Sequence, residues 1–550
     1  MKFRSLLSCA LAAAGIGFSV SAPAQDVPIT VNGQALSKWK LAESDHFQIF
    51  GEGDEKYLSK LSGRLEAVHY LLKLATGMEE PADQKIVKVK VFVVDGISDV
   101  RRLIGNPDSN AAGYYDPQLA GPISVIPKST GSDGTFSGEL ILFHEYTHHF
   151  MLQYQAAAYP AWYVEGFAEI ASTVSFEREG AITFGKAAKH REGELRYTKR
   201  YPAAKMVDGR FVKEKPNAEG WGYGDAWALT HYLTFSDKRR GQLAAYLRAI
   251  NAGQNFAEAS KVFGDLNALT RELNIYIEGG SFPYKAPPLP PEVEKAPTIN
   301  PLTVVEADFL EDHIVMERLA RISTREEYEA WSKMREKQGR PLKKDFEAYL
   351  KEETEARDNW MKELDRRVAR FANDPYAWTV KAHAECMAKK YSACLSSADR
   401  ALGLKSDDWC AQLRKAQALV GLASQADDGA RVALAKDGRK WALQANKNNP
   451  TAHEPLLVYY ESFGAERKMV PANAIDSLNQ VVETIPQINE TRLMLGRELI
   501  ARKQIPAARK VLQPLAFSPH DSVEQAMAQA LLDQIADGTT EASQASSSES

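Results

Sequence analysis

The period of the hydrophobic pattern changes twice within the first hundred residues. Residues 46–50 alternate apolar and polar positions, as a half-buried strand does. Over residues 54–75 the apolar side chains Leu58, Leu61, Leu65, Val68, Leu71 and Leu72 fall three and four apart, which draws one stripe along a helix. Residues 86–94 alternate again, β-branched positions against Lys88 and Lys90, and predict a strand. Residues 114–117 and 122–127 read as two short strands around a Gly/Pro turn. Pro122 and Pro127 have no N–H to donate, so the second is expected at a sheet edge or in a short segment. A Gly/Ser loop at 129–134 precedes a helix starting near Ser137. A hairpin turning at Glu179-Gly180 joins 173–176 to 181–184, and helical patterns dominate from Gly224 onward.

This alternation of strands and helices predicts one α+β domain over residues 25–280. Residues 281–301, with Pro287, Pro288, Pro290 and Pro291, favour extended backbone and read as a linker. Residues 302–372 are strongly charged and read as a helical connector, with 352–370 a solvated helix. In residues 373–537, turn-like breaks recur at Asp374-Pro375, Asp407-Asp408, Asn449-Pro450, Pro486 and Ser518-Pro519, close to the spacing of helix-pair repeats. Small residues such as Ala382, Ala384, Ala398 and Ala401 sit where paired helices must approach closely, and segment 374–404 resembles one tetratricopeptide repeat. An all-α, tetratricopeptide-like repeat domain is therefore expected after the α+β domain. The tail at 538–550 is Ser/Thr/Glu/Gln-rich and expected to be disordered.

Composition changes this picture at two points. Residues 1–24 carry Lys2 and Arg4, an apolar run at 6–20 and Ala22-Pro23-Ala24, the pattern of a cleaved signal peptide with cleavage before Gln25. Cys9 stands at the start of the apolar run rather than after it, which argues against lipidation. No later stretch reaches a transmembrane length of uninterrupted apolar residues, so the mature chain is expected outside the cytoplasm, in the periplasm of a Gram-negative source. A net charge of -4 with no basic stripe leaves nothing for nucleic acid to bind. Beyond the leader only Cys386, Cys394 and Cys410 remain. They are expected as reduced core residues, with one disulfide plus one thiol as the alternative.

The chemistry concentrates in LILFHEYTHHFM, residues 140–151. His144 and His148 at i and i+4 lie one helical turn apart on the same face, so both imidazoles can reach one zinc ion. Glu145 stands beside them, placed to take a proton from zinc-bound water and return it to a leaving amine. Zinc needs a third protein ligand, and AWYVEGFAEIAS at 161–172 offers Glu165 on a second helix. Glu169, one turn further on, can accept a hydrogen bond from the other nitrogen of His144 and so orient its ring. His149 is one residue off this stripe and expected to face outward. His46, His69 and His190 have no ligand spacing and read as packed or surface histidines.

HEYTHHF followed by WYVEGFAE resembles the gluzincin (peptidase MA-like) clan of zinc metallopeptidases, which includes thermolysin and the aminopeptidase N family. The resemblance covers residues 38–279 and implies a thermolysin-like zincin catalytic domain, one zinc per chain and Glu165 as third ligand. Glu169 corresponds to the acidic residue that follows that ligand by four positions. The clan pairs extended substrate with an edge strand before the zinc helix, here residues 123–126. Two departures limit what the resemblance implies. The aminopeptidases' G-A-M-E-N segment has no counterpart at 111–127, so an endopeptidase is implied instead. The clan's oxyanion-binding tyrosine matches Tyr223 in GYGDAWAL, but Ala226 stands where glycine is usual. Tyr223 as a packing aromatic stays open, with His231 and Tyr232 as neighbouring alternatives. The joint expectation is an exported zinc metallopeptidase acting on peptides or proteins, whose repeats recruit substrate or a protein partner. The alternative is a non-catalytic periplasmic scaffold carrying an inactive or structural zinc domain.

Overall fold

The computed structural model describes residues 30–31, 34–80, 87–107, 109, 111–128, 137–177, 181–209, 222–320, 324–337, 341–518 and 522–536. The leader reading at 1–24 and the tail reading at 538–550 lie outside these residues. The chain forms a mixed α/β N-terminal region followed by a helical C-terminal half. No helix among the described residues is long and apolar enough to cross a membrane.

The N-terminal sheet holds β1 (Thr30–Val31), β2 (Gln34–Glu43), β3 (Phe47–Glu52), β4 (Val89–Val94), β5 (Tyr114–Asp116) and β6 (Ile123–Pro127), in the order β1-β2-β3-β4-β6-β5. β3, β4 and β6 run parallel, whereas β2 and β5 are antiparallel to their neighbours. Between β3 and β4 runs α1 (Glu55–Thr76), capped by the Asp54 side chain on the Lys56 N–H and stopped by Gly77 in the left-handed region. Its expected stripe of leucines is buried on one face of the sheet together with α3 (Gly138–Tyr154) and α4 (Ala161–Ser172).

Residues 123–127 are not the edge. β5 pairs outside them, and every residue of β6 is buried. The prolines sit at the strand's ends, where a missing N–H costs no ladder bond, so an interior position is allowed. The second face of the sheet is covered by α2 (Ile97–Ile104) and by helix Leu310–Ala320, which buries Leu310 and Ile314 against Phe92, Ile123 and Val125. The expected connector thus belongs partly to the N-terminal core. So does the end of the expected linker: β7 (Thr298–Thr303) pairs with β2, with Pro301 tolerated because β7 has β2 as its one partner strand among the described residues.

Helix Phe346–Arg370 buries Met361, Leu364 and Val368 and turns most of its charges to solvent. Four helix pairs follow, Pro375–Met387 with Tyr391–Leu404, Trp409–Gln425 with Asp428–Asn448, Glu454–Ala465 with Ala472–Thr484, and Asn489–Ala501 with Ile505–Ala516. Ala382, Ala384, Ala398 and Ala401 are fully buried at the helix contacts. Cys386 and Cys394 form a disulfide and Cys410 is unpaired, which overturns the expectation of three reduced thiols. The physical reason is the tight reversal between two helices, with Lys389 in the left-handed region, that folds one cysteine back onto the other.

Candidate metal centre

Ser137 caps α3 by accepting from the Leu140 N–H, and the helix then carries His144, Glu145 and His148 through the domain's middle. All residues of α4 are buried, Pro160 starting it and Trp162, Phe167 and Ile170 anchoring it. The two helices bring three ligand atoms together. The Nε2 atoms of His144 and His148 are 3.1 Å apart, and each is 3.5 Å from Oε2 of Glu165. This group could hold a metal ion.

Glu169 is 1 % exposed and lies behind the first histidine, its Oε1 3.3 Å from Nδ1 of His144. The same carboxylate accepts from Nε2 of His190 at 2.6 Å and from Arg191. Burial would raise the Glu169 carboxyl, but these three donors outweigh it and hold it well below the usual carboxylate range. Burial likewise opposes charge on His144, and the flanking Glu165 and Glu169 overcome it, lifting the imidazole to about 10. His190 and Arg191 were not legible as site residues, because no helical spacing ties 190 to 169. In the structure a short 3-10 turn, Lys189–Arg191, delivers them.

Tyr223 opens helix α7 (Tyr223–Phe235), which follows the short helices α5 (Glu192–Tyr197) and α6 (Ala203–Val207). Its ring lies 6.2 Å from that of His144, edge to face, with the Arg191 guanidinium 4.7 Å above it. Burial, then the negative charge of Glu165, keeps the phenol protonated, Glu145 and Glu169 adding to the effect and Arg191 opposing it. The two neighbouring alternatives point elsewhere: His231 is fully buried between the Gly185 carbonyl and the Tyr276 hydroxyl, and Tyr232 donates to Glu272. Half-buried Glu145 contributes charge to both Tyr223 and Tyr115.

His149 does not face outward. It is 2 % exposed, with its Nδ1 2.9 Å from the Tyr115 hydroxyl and 3.1 Å from Nε2 of Gln487. Burial pushes its pKa down to about 3, so the ring is neutral. The reason for the miss is distance in sequence: the cover comes from the repeat domain. Gln487 also donates to the His149 carbonyl and to Oε1 of Gln153, while Gln153 donates to the Thr484 carbonyl.

A second histidine group escaped the spacing argument. Nε2 of His46, Nε2 of His69 and a Glu80 oxygen converge as well. Here the rings stack at 3.8 Å, and Oε1 of Glu80 already accepts from His69 at 2.6 Å and from Lys73 at 3.0 Å. Burial disfavours charge on His46, but Glu66 and Glu80 lift its pKa to about 9. Its positive charge is balanced inside a closed salt-bridge network. That network reaches the back of α3, where the Tyr146 hydroxyl is 2.7 Å from Nδ1 of His69.

The arrangement could therefore present one metal ion with two imidazoles and a carboxylate, beside the half-buried Glu145 and the protonated phenol of Tyr223. Compared with protein-family models and with curated proteins, the chain finds no match among either.

Proposed function

We propose that the chain is a zinc-dependent metallopeptidase built on a thermolysin-like zincin domain. The observation that carries this reading is the triangle of His144, His148 and Glu165. A tetrahedral ion with bonds of about 2.0–2.1 Å has ligand atoms about 3.3–3.4 Å apart, close to the 3.1 and 3.5 Å found here. Two imidazoles and one carboxylate are also the donor set of catalytic zinc sites that keep a position open. Zinc held there supplies a Lewis acid that polarises a carbonyl and makes water acidic enough to attack it.

The residues divide the remaining work. Glu145 accepts the proton of the attacking water and passes it to the leaving amine. Tyr223, kept neutral by its surroundings, donates a hydrogen bond to the oxygen on which charge develops. Glu169 holds the Nδ1 proton of His144 and keeps Nε2 turned toward the metal. Extended substrate backbone pairs with the outer edge of β5, since β6 is covered. On the leader reading, the mature enzyme works outside the cytoplasm.

A second reading is favoured by one feature of the repeats. A cavity of about 550 Å3 opens among them, lined by Tyr391, Tyr460, Glu461, Arg467 and Met494. It suits a protein partner, and a scaffold whose metal domain is structural would use it alone. Metal analysis with Glu145→Gln separates the two. The enzyme reading expects one zinc per chain in both proteins, cleavage of a peptide library by wild type, its loss on treatment with a chelator, and a loss of at least about 100-fold in the variant. Stoichiometric zinc with no cleavage by wild type favours the scaffold; no bound zinc ends the metal reading.

A further inference from the structure

Arg492, on helix Asn489–Ala501 of the repeat domain, is only 4 % exposed. Its Nε donates to the Pro486 carbonyl and its Nη1 to the Val511 carbonyl, but Nη2 is buried with no hydrogen-bond partner. No carboxylate pairs with this guanidinium among the described residues, and burial lowers its pKa to about 10, which leaves it charged at neutral pH. A buried cation with an open donor is costly unless something anionic meets it.

Arg492 lines a small cavity of about 90 Å3 that also has His148 in its wall. His148 and Met151 of α3 and Val164 of α4 form one wall; Asn489, Arg492 and Leu515 of the repeat domain form the other. None of the described lining residues is acidic. The helix that carries Arg492 begins at this cavity, and its N-cap residue, Ile488, offers no side-chain acceptor, so the positive end of the helix adds to the guanidinium.

We propose that Arg492 is the anion receptor of a specificity pocket that the repeat domain completes. A carboxylate of the substrate enters beside His148 and pairs with Nη2. That carboxylate is either an Asp or Glu side chain next to the scissile bond or the α-carboxylate of the peptide's C-terminus. The proposal rests on the peptidase reading for its substrate, whereas the anion site itself stands on the geometry of Arg492.

Cleavage of matched peptides tests it, by comparing kcat/KM for Asp against Asn within a C-terminally amidated peptide, and for free against amidated C-termini. Wild type is expected to favour the charged member of one pair by about 10- to 100-fold, the range of a hydrogen bond to a charged group, and which pair it is identifies the source. The ratio is expected to fall to near one in Arg492→Gln and to survive in part in Arg492→Lys. Asn489→Asp guards against a variant that fails to fold. It adds a carboxylate at the first turn of the helix, where acidic residues stabilise, and occupies the guanidinium. A ratio near one in wild type, or an unchanged ratio in Arg492→Gln and Asn489→Asp, overturns the proposal. If wild type cleaves nothing, the peptidase reading fails and calorimetry decides the anion site: succinate should bind wild type and be lost in both variants, with succinamide as the neutral control. Absent or unaltered succinate binding overturns it.

Discussion

Asp225 and Glu169 are two buried carboxyls with opposite fates, and the difference lies in their neighbours. Glu169 has a histidine on each side and an arginine, and ionises easily. Asp225, two positions after Tyr223, is 5 % exposed and among the described residues accepts from the Tyr201 N–H at 2.8 Å. Burial therefore raises it to about 7. An acid whose pKa is higher folded than unfolded binds more protons in the native state, so stability is greatest below its unfolded pKa of about 3.8 and declines as pH rises toward 7. The total is on the order of 4 kcal/mol. Asp225→Asn keeps an acceptor for Tyr201 and should flatten that decline. Urea unfolding at pH 4, 5.5 and 7.5 measures it; an unchanged slope in the variant would assign the decline to another group. At this scale the sequence was readable where partners are helical neighbours, as with His144 and His148. Glu169 could be linked to His144, but its contacts with His190 and Arg191 depend on a loop whose path no periodicity encodes.

The element that sets the site's shape is α4, and its critical contact is made by Gly166, the residue after Glu165. A Cβ there would come within 2.2 Å of Oγ1 of Thr230 and 2.3 Å of the Ala226 carbonyl on α7. The glycine is what lets α7 lie against α4, which brings Tyr223 over His144. The same contact gives Ala226 a place: a small residue suffices there. Gly166→Ala should separate the helices and cost about 1–3 kcal/mol, the usual range for an overpacked core. Thermal unfolding reads the loss, and zinc content reads whether Glu165 has moved; a variant with wild-type stability would show that the helices part freely. Helix starts were legible near Asp54 and Ser137, and in the structure each of these side chains caps its helix by accepting from one backbone N–H. The interior position of β6 was not, since prolines at a strand's ends look like prolines at an edge until β5 is seen to pair outside them.

For the molecule as a whole, the decisive fact is that the C-terminal helices are docked on the N-terminal region rather than strung after it. Gln487 supplies donors to the backbone of His149 and to Gln153, and Phe517 packs its ring 5.5 Å from that of Phe256. Gln487→Ala leaves buried acceptors on α3 unsatisfied and should destabilise the protein by about 1–3 kcal/mol. Thermal unfolding followed by tryptophan fluorescence measures it, and an unshifted transition would mean the interface is easily replaced by water. The sequence foretold the two regions but not their contact. Breaks and small residues mark the repeats from within, whereas a docking surface has no period and joins residues more than three hundred positions apart. The docking has a consequence for timing. A ribosome makes the His144 helix early, but Gln487, which covers its back, comes more than three hundred residues later. A nascent chain therefore carries the His144 helix without its cover until the helices around Gln487 and Arg492 have been made and have docked.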